Sequence, residues 1–239
     1  MYIPPAKLDR RVSRLAFTLV ELLVVLAILG ILVAIVVPVV GNARASAQSS
    51  RCQTNLRQIA LAVTMYGTEH KGDLVPMYYP KEEPHYPFSA AHWTALLAPY
   101  LGRSGSDKFF SYEDMPVYGC STRPETWGYG YNYNWLSPWV GGAAPGQPSV
   151  RVVKRADVAN PAGTVMFVDS YIPAGGDWRV FVRYPGFSGA QWSATSPDPY
   201  TIDFCHPGQT ANVAWVDGHV SAERPNTSFT DDDSLWDLK

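Results

Sequence analysis

Residues 17–37 read FTLVELLVVLAILGILVAIVV and are apolar at every position except Thr18, Glu21 and Gly30. A helix of about 20 apolar residues, rising ~1.5 Å per residue, covers the ~30 Å hydrocarbon layer of a membrane. The run carries a single charged side chain, and neither proline nor a cluster of polar residues interrupts it. It therefore predicts one membrane-spanning helix near the N-terminus.

A short basic leader, residues 1–16, precedes this span. It holds one acid, Asp9, and four basic side chains, which are Lys7, Arg10, Arg11 and Arg14. Basic segments next to a span stay in the cytoplasm, so the rest of the chain should lie outside the inner membrane. The whole chain has a net charge of -2, and because the leader carries +3, the remainder carries about -5. We expect no nucleic-acid partner for such a surface.

Glu21 is the unusual residue of the span. A carboxylate placed one turn into a membrane helix costs roughly 2.5 kcal/mol or more unless it finds a partner or reaches the interface. A secretory signal has a shorter apolar run and a small-residue cleavage site after that run. This chain instead has a small residue, Ala16, directly before the run. The alternative is an uncleaved signal anchor that tolerates one acid near its end.

Residues 11–23, RVSRLAFTLVELL, resemble the cleavage and methylation site of type IV prepilins and type II secretion pseudopilins. The resemblance implies that a prepilin peptidase cuts between Ala16 and Phe17 and that Phe17 becomes the N-methylated first residue. Glu21 occupies the position of the family's acid, whose natural cation is the new amino group of a neighbouring subunit. The family usually has glycine before the cut, and this chain has the similarly small Ala16.

The resemblance implies a structural subunit of a type IV pilus-like or type II secretion-like filament, built with other pilin or pseudopilin subunits. The subunit would sit first in the inner membrane, with its C-terminal domain outside the cytoplasm, and later in a periplasmic or extracellular filament. We expect no cofactor and no enzyme activity, since the sequence lacks a nucleophile elbow, a phosphate-binding glycine loop and a His-Glu metalloprotease pattern. The alternative function is a membrane-tethered surface binding protein, for polysaccharide or a similar ligand, exported by the same route.

The helical pattern continues beyond the span, so the first helix should cover residues 17–70. Pro38 removes an intrahelical hydrogen bond and Gly41 weakens the next turn, which predicts a kink near residues 38–42. Farther on, Leu56, Ile59 and Val63 recur at three- and four-residue spacing. This amphipathic half should pack on the globular body.

Residues 52–62, CQTNLRQIALA, also resemble the helix of a prepilin group found in planctomycetes and related bacteria. That group ends in a second signature, a histidine, nine residues and then Asp-Gly-His. Here His206 precedes the sequence Asp217-Gly218-His219 by ten residues instead of nine. The departure lies in the spacing of His206, while the surrounding residues fit the signature.

Residues 71–239 predict an exported α+β domain, in which a small antiparallel sheet with long loops packs against the first helix. Strands are predicted at residues 164–169, 178–184 and 212–216, and one short helix at residues 93–101. The pair Asp217-Gly218 lies between two alternating runs, which predicts a two-residue hairpin turn.

Two groups of side chains are candidate binding sites in this domain. Histidine and aspartate side chains can hold a divalent cation, although the Asp-Gly pair already has a structural role in the turn. The acids at residues 231–233 are a second candidate, for calcium, although the loop lacks a recognised ligand pattern. A row of alternating aromatics can stack on sugars, although a half-buried strand explains the same pattern, with Asn132 and Asn134 facing the other way. The candidate metal ligands are Asp203, His206, Asp217 and His219, and the candidate stacking residues are Trp127, Tyr131, Trp135 and Trp139.

The three cysteines, Cys52, Cys120 and Cys205, are an odd set, so at most one intrachain disulfide can form. Export would permit a disulfide. Spacing does not decide which two pair, and three buried thiols remain the alternative.

Overall fold

The protein is described from a computed structural model that covers residues 18–80, 90–103, 115–122, 127–138, 150–172, 182, 201–225 and 234–238. The chain forms two compact units, Met1–Ala43 and Arg44–Lys239. The first unit consists of the helix that the apolar run forms, and the second contains the globular core. The α+β class predicted from the sequence is confirmed.

The first helix, α1, spans Leu19–Glu69, a length of 51 residues. The sequence predicted this helix at residues 17–70, and residue 17 lies outside the described residues. The helix includes Pro38, and the helical assignment is unbroken at Pro38 and Gly41. The predicted kink at residues 38–42 stays a prediction.

The C-terminal half of α1 buries one face in the second unit. The buried residues include Cys52, Leu56, Ile59, Val63 and Tyr66, which follow one another at intervals of four, three, four and three residues. This spacing places them on one stripe of a 3.6-residue helix. The predicted amphipathic half is therefore confirmed.

A four-stranded antiparallel sheet forms the centre of the second unit, with strand order β3-β4-β5-β6. A separate two-stranded antiparallel sheet pairs β1 with β2. The strands are β1 Tyr78–Pro80, β2 Ala90–His92, β3 Trp127–Tyr131, β4 Val165–Ile172, β5 Ala211–Trp215 and β6 Val220–Glu223. The described connections between them contain two short α-helices, α2 Trp93–Leu97 and α3 Tyr133–Leu136, and three 3-10 turns, Ala98–Leu101, Pro116–Tyr118 and Arg155–Asp157.

The sheet separates two apolar clusters. The first joins the buried stripe of α1 to Tyr129, Tyr131 and Phe167 of the sheet. The second lies against the opposite face, where Val168 and Val213 meet Trp236 of the C-terminal segment. Because both faces are covered, the central strands are buried at almost every position, and the simple alternation of a half-exposed sheet is lost.

Most of the predicted elements of the domain are found. The predicted strands at residues 164–169 and 212–216 correspond to β4 and β5, and the predicted helix at residues 93–101 corresponds to α2 with the 3-10 turn after it. The strand predicted at residues 178–184 lies outside the described residues, apart from residue 182.

The predicted two-residue turn between β5 and β6 is wrong in length. The amide of Gly218 donates to the Trp215 carbonyl at 2.9 Å, and the Trp215 amide donates to the His219 carbonyl at 3.0 Å. This pattern encloses three residues, with Gly218 at a φ of +99°. Three-residue hairpin loops commonly have a glycine at the third position, where it accepts a positive φ that side chains disfavour.

Candidate functional site

The N-terminus of α1 is closed by a reciprocal hydrogen-bonded cap. The Thr18 amide and hydroxyl both donate to Oε2 of Glu21 at 2.9 Å, and the Glu21 amide donates to the Thr18 hydroxyl at 3.2 Å. This is a capping box, which pairs amide groups that the first turn of a helix leaves without partners. The Glu21 carboxylate therefore has a structural role within its own chain.

The first part of α1 presents a continuous apolar surface. Every leucine, isoleucine and valine between residues 19 and 40 is exposed, by between 45% and 85%. By length and composition, α1 is a helix that can cross a membrane. An apolar surface of this extent is covered by lipid or by other protein chains.

The sequence around this cap matches a known motif. A family model described as the prokaryotic N-terminal methylation motif matches residues 12–37. The chain carries a prepilin-type methylation motif. Residues 41–114 of this prepilin-like chain match a second family model, described as a protein of unknown function (DUF1559). Together the two matches confirm the resemblance to type IV pilin-like proteins of the planctomycete-type group. No curated protein and no solved structure matches the chain.

The processing site of the prepilin-like chain lies just before the described helix. Ala16 and Phe17 fall within the matched motif but outside the described residues. The cut between them and the methylation of Phe17 stay predictions. Glu21 lies four residues after Phe17, on the first turn of α1.

A second polar site lies in the globular unit, where β4 faces the apolar cluster of α1. Asp169 and His206 are both completely buried, with His206 Nε2 lying 3.0 Å from Asp169 Oδ2. The backbone amide of Asn212 also donates to that oxygen, at 2.6 Å. Burial raises the pKa of the Asp169 carboxyl, and the contact with His206 opposes this shift. His206 Nδ1 lies 3.2 Å from the Thr122 hydroxyl.

A disulfide lies next to this pair and fixes α1 to the body. Cys52 of α1 is bonded to Cys120, with 5.3 Å between their Cα atoms and 68 residues between them in sequence. The Sγ atom of Cys120 lies 3.5 Å from His206 Nε2. Cys205 is not part of a disulfide. The pairing that the sequence left open is therefore Cys52 with Cys120.

The four candidate metal ligands are divided between two places. Asp217 and His219 contact each other in the β5–β6 turn, with Oδ1 and Nδ1 2.7 Å apart. Partial burial by itself raises the pKa of Asp217. Hydrogen bonds from the backbone amide and the ring of His219 outweigh it, so the pKa lies below its ordinary value. His206 instead lies against Asp169. Asp203, three residues before His206 in the sequence, is also buried.

Among the described residues, two sets of three potential metal ligands have their donor atoms within 4.8 Å of one another. They are Cys52, Cys120 and His206, and Asp169, Cys205 and His206. Neither set includes Asp203, Asp217 or His219. Asp169 was not predicted as a site residue, although an acid inside an otherwise apolar strand was the available signal.

The candidate aromatic row is not an exposed surface at its centre. Tyr131 is completely buried, and its hydroxyl donates to the Val75 carbonyl at 2.8 Å. It cannot stack on an external sugar, so this part of the prediction is wrong. Trp135 is partly buried, while Trp139 and the side chain of Trp127 lie outside the description. The residues 231–233 also lie outside it.

Asn132 is a buried polar residue of the aromatic segment. Its side-chain amide donates to the carbonyls of Val165 and Trp236, each at 2.9 Å. Asn132 therefore ties the end of β3 to β4 and to the C-terminal segment. The segment is part of the core.

Proposed function

We propose that this chain is a structural subunit of a type IV pilus-like or type II secretion-like filament. A prepilin peptidase removes residues 1–16, and the new first residue, Phe17, is methylated. The subunit waits in the inner membrane with its globular domain outside the cytoplasm, and it then assembles with other pilin or pseudopilin subunits. The exposed apolar surface of α1 between residues 19 and 40 is the observation that carries this proposal. That surface suits a lipid bilayer before assembly and a bundle of identical helices afterwards.

Glu21 directs the assembly in this proposal. Its cap with Thr18 uses one carboxylate oxygen, Oε2, and in this proposal the second oxygen meets the neighbouring subunit. When a subunit leaves the lipid for a helical bundle, the carboxylate loses contact with the membrane interface. A buried carboxylate needs a cation, and the α-amino group of Phe17 on an adjacent copy is the nearest one that processing creates. The pairing would set the axial register of neighbouring subunits.

Two substitutions separate the charge of Glu21 from its role in the cap. Glu21→Gln keeps a side-chain oxygen for the capping box but removes the charge. Glu21→Leu removes both. We expect both variants to be cleaved normally and both to give little filament, because the amino group of the neighbour has no carboxylate to meet.

Thr18→Ala is the matched control, since it removes the hydroxyl part of the cap and keeps the Glu21 charge. We expect near-normal filament yield from this variant. The measurement is the amount of subunit in the sheared filament fraction relative to the membrane fraction, with cleavage checked by mass spectrometry. Wild-type yield from Glu21→Gln would refute the pairing, and a loss of filament in Thr18→Ala as large as in Glu21→Gln would assign the effect to the cap.

A further inference from the structure

Three donor groups of different chemistry converge on the sheet face that lies towards α1. A carboxylate oxygen of Asp169, the Sγ atom of Cys205 and a ring nitrogen of His206 lie within 4.8 Å of one another. Asp169 and His206 are fully buried and Cys205 is partly buried. Thiolate, imidazole and carboxylate are the protein ligands of zinc. Zinc–ligand distances of about 2.0–2.3 Å in a tetrahedron correspond to ligand separations of roughly 3.3–3.8 Å, so small side-chain shifts suffice.

Among the described residues, some buried polar atoms at this place have no hydrogen-bond partner. Within that part of the chain Oδ1 of Asp169 has none, while Oδ2 of the same carboxylate already accepts from the backbone amide of Asn212 and contacts His206. The side-chain oxygen and nitrogen of Asn212 are also buried with no partner in the described residues. Asn212 lies one position beyond the Val168–Val213 pair of β4 and β5, opposite Asp169. Buried polar groups are almost always partnered, and an ion or an ordered water is the usual explanation when protein groups do not serve.

Both ring nitrogens of His206 face polar groups at this place. Nδ1 lies 3.2 Å from the Thr122 hydroxyl, and Nε2 lies 3.0 Å from Asp169 Oδ2. A cation that binds at Nε2 replaces the proton there and leaves the tautomer whose Nδ1–H donates to the Thr122 hydroxyl. A hydrogen bond at the remote ring nitrogen is also the arrangement that orients metal-bound histidines.

We propose that Asp169, Cys205 and His206 bind one zinc ion in the globular domain. Cys205 releases its thiol proton on binding, and His206 ligates as the neutral imidazole. Cys52 and Cys120 stay joined as the disulfide and take no part. The ion ties residues 205–206 to β4, so zinc stabilises the folded domain because the unfolded chain holds no preformed site. This inference does not depend on the proposed filament role.

The test uses the full chain, purified in detergent without reductant and stripped with a chelator. After addition of zinc and removal of the excess, elemental analysis should find about one zinc per chain, and the melting temperature should rise. Cobalt(II) in place of zinc should give the thiolate-to-metal charge-transfer band. This band reports on thiolate ligation in the wild-type chain, so it needs no variant.

Cys205→Ser and His219→Gln are the matched variants. Cys205→Ser should lose the cobalt band and bind zinc more than about 100-fold more weakly, since the loss of supporting residues alone costs 10–100-fold. Its melting temperature in chelator should equal that of the wild type. His219→Gln alters a histidine of the exposed turn and should bind zinc like the wild type.

Three results would overturn the proposal. The first is a wild-type chain that retains no zinc or gives no charge-transfer band. The second is wild-type zinc affinity in Cys205→Ser. The third is loss of zinc in His219→Gln, which would place the ion at the β5–β6 turn instead.

Discussion

The Cys52–Cys120 disulfide allows a quantitative test of how α1 is held to the globular domain. It closes a loop across 68 residues of sequence. Cross-linking restricts the unfolded chain, and the chain-entropy relation gives about 4 kcal/mol at 25 °C for a loop of this length. We therefore expect Cys52→Ala, Cys120→Ala and the double variant to lower the free energy of unfolding by about 4 kcal/mol each. The double variant should lose little more than either single variant, because one cross-link is removed in all three.

The assay is equilibrium unfolding in urea, followed by tryptophan fluorescence. Residues 44–239 are the suitable fragment because they include both apolar clusters of the described structure and the whole disulfide. A reducing agent should destabilise the wild type by about the same amount and leave the double variant unchanged, which is the internal control. The reasoning fails if the single variants lose less than about 1 kcal/mol, or if reduction destabilises the double variant as much as the wild type.

Four further substitutions, in three tests, probe the packing and the titration of this domain by the same unfolding assay. Leu56→Ala should cost about 2–5 kcal/mol because Leu56 is completely buried, whereas Leu61→Ala should stay within about 0.5 kcal/mol because Leu61 is 60% exposed; equal effects would contradict the assigned helix face. Burial lowers the pKa of His92 to about 4 from 6.5, so the unfolded chain binds more protons between these values and stability falls as the pH drops. Between pH 7.5 and pH 5 the wild type should lose about 2 kcal/mol more than His92→Asn, and parallel pH curves would refute this. Gly128→Ala should cost about 1–3 kcal/mol, since a Cβ there overlaps the backbone nitrogen of Cys120, and an unchanged midpoint would show that the two segments are farther apart.

The first helix was the part of the fold that local sequence could predict. A long apolar run without breakers and the regular spacing of Leu56, Ile59 and Val63 both follow from helix geometry alone. The strands β4 and β5 were also predicted, because short apolar runs rich in valine precede turn residues. The length of the β5–β6 turn was missed, since the hydrogen bonds of Trp215 with Gly218 and His219 add Val216 to the loop, and the dipeptide Asp217-Gly218 does not reveal them.

The buried site was the part that sequence could not predict. Asp169, Cys205 and His206 are brought together only by the pairing of β4 with its neighbours, and Cys120 reaches them from a loop 86 residues before His206. His206 was identified from its spacing to Asp217 along the sequence, but these two side chains have different partners in the folded domain. Tyr131 was misassigned for a related reason, because covering both faces of the sheet buries residues that an alternating pattern would expose.

The mature N-terminus tests the central claim most directly. Subunits isolated from native membranes or filaments would be digested, and the N-terminal peptide would be identified by mass spectrometry. The proposed function predicts a peptide that begins at Phe17 with one methyl group on its amino nitrogen. A subunit that still begins at Met1, or that begins within residues 18–37, would contradict it.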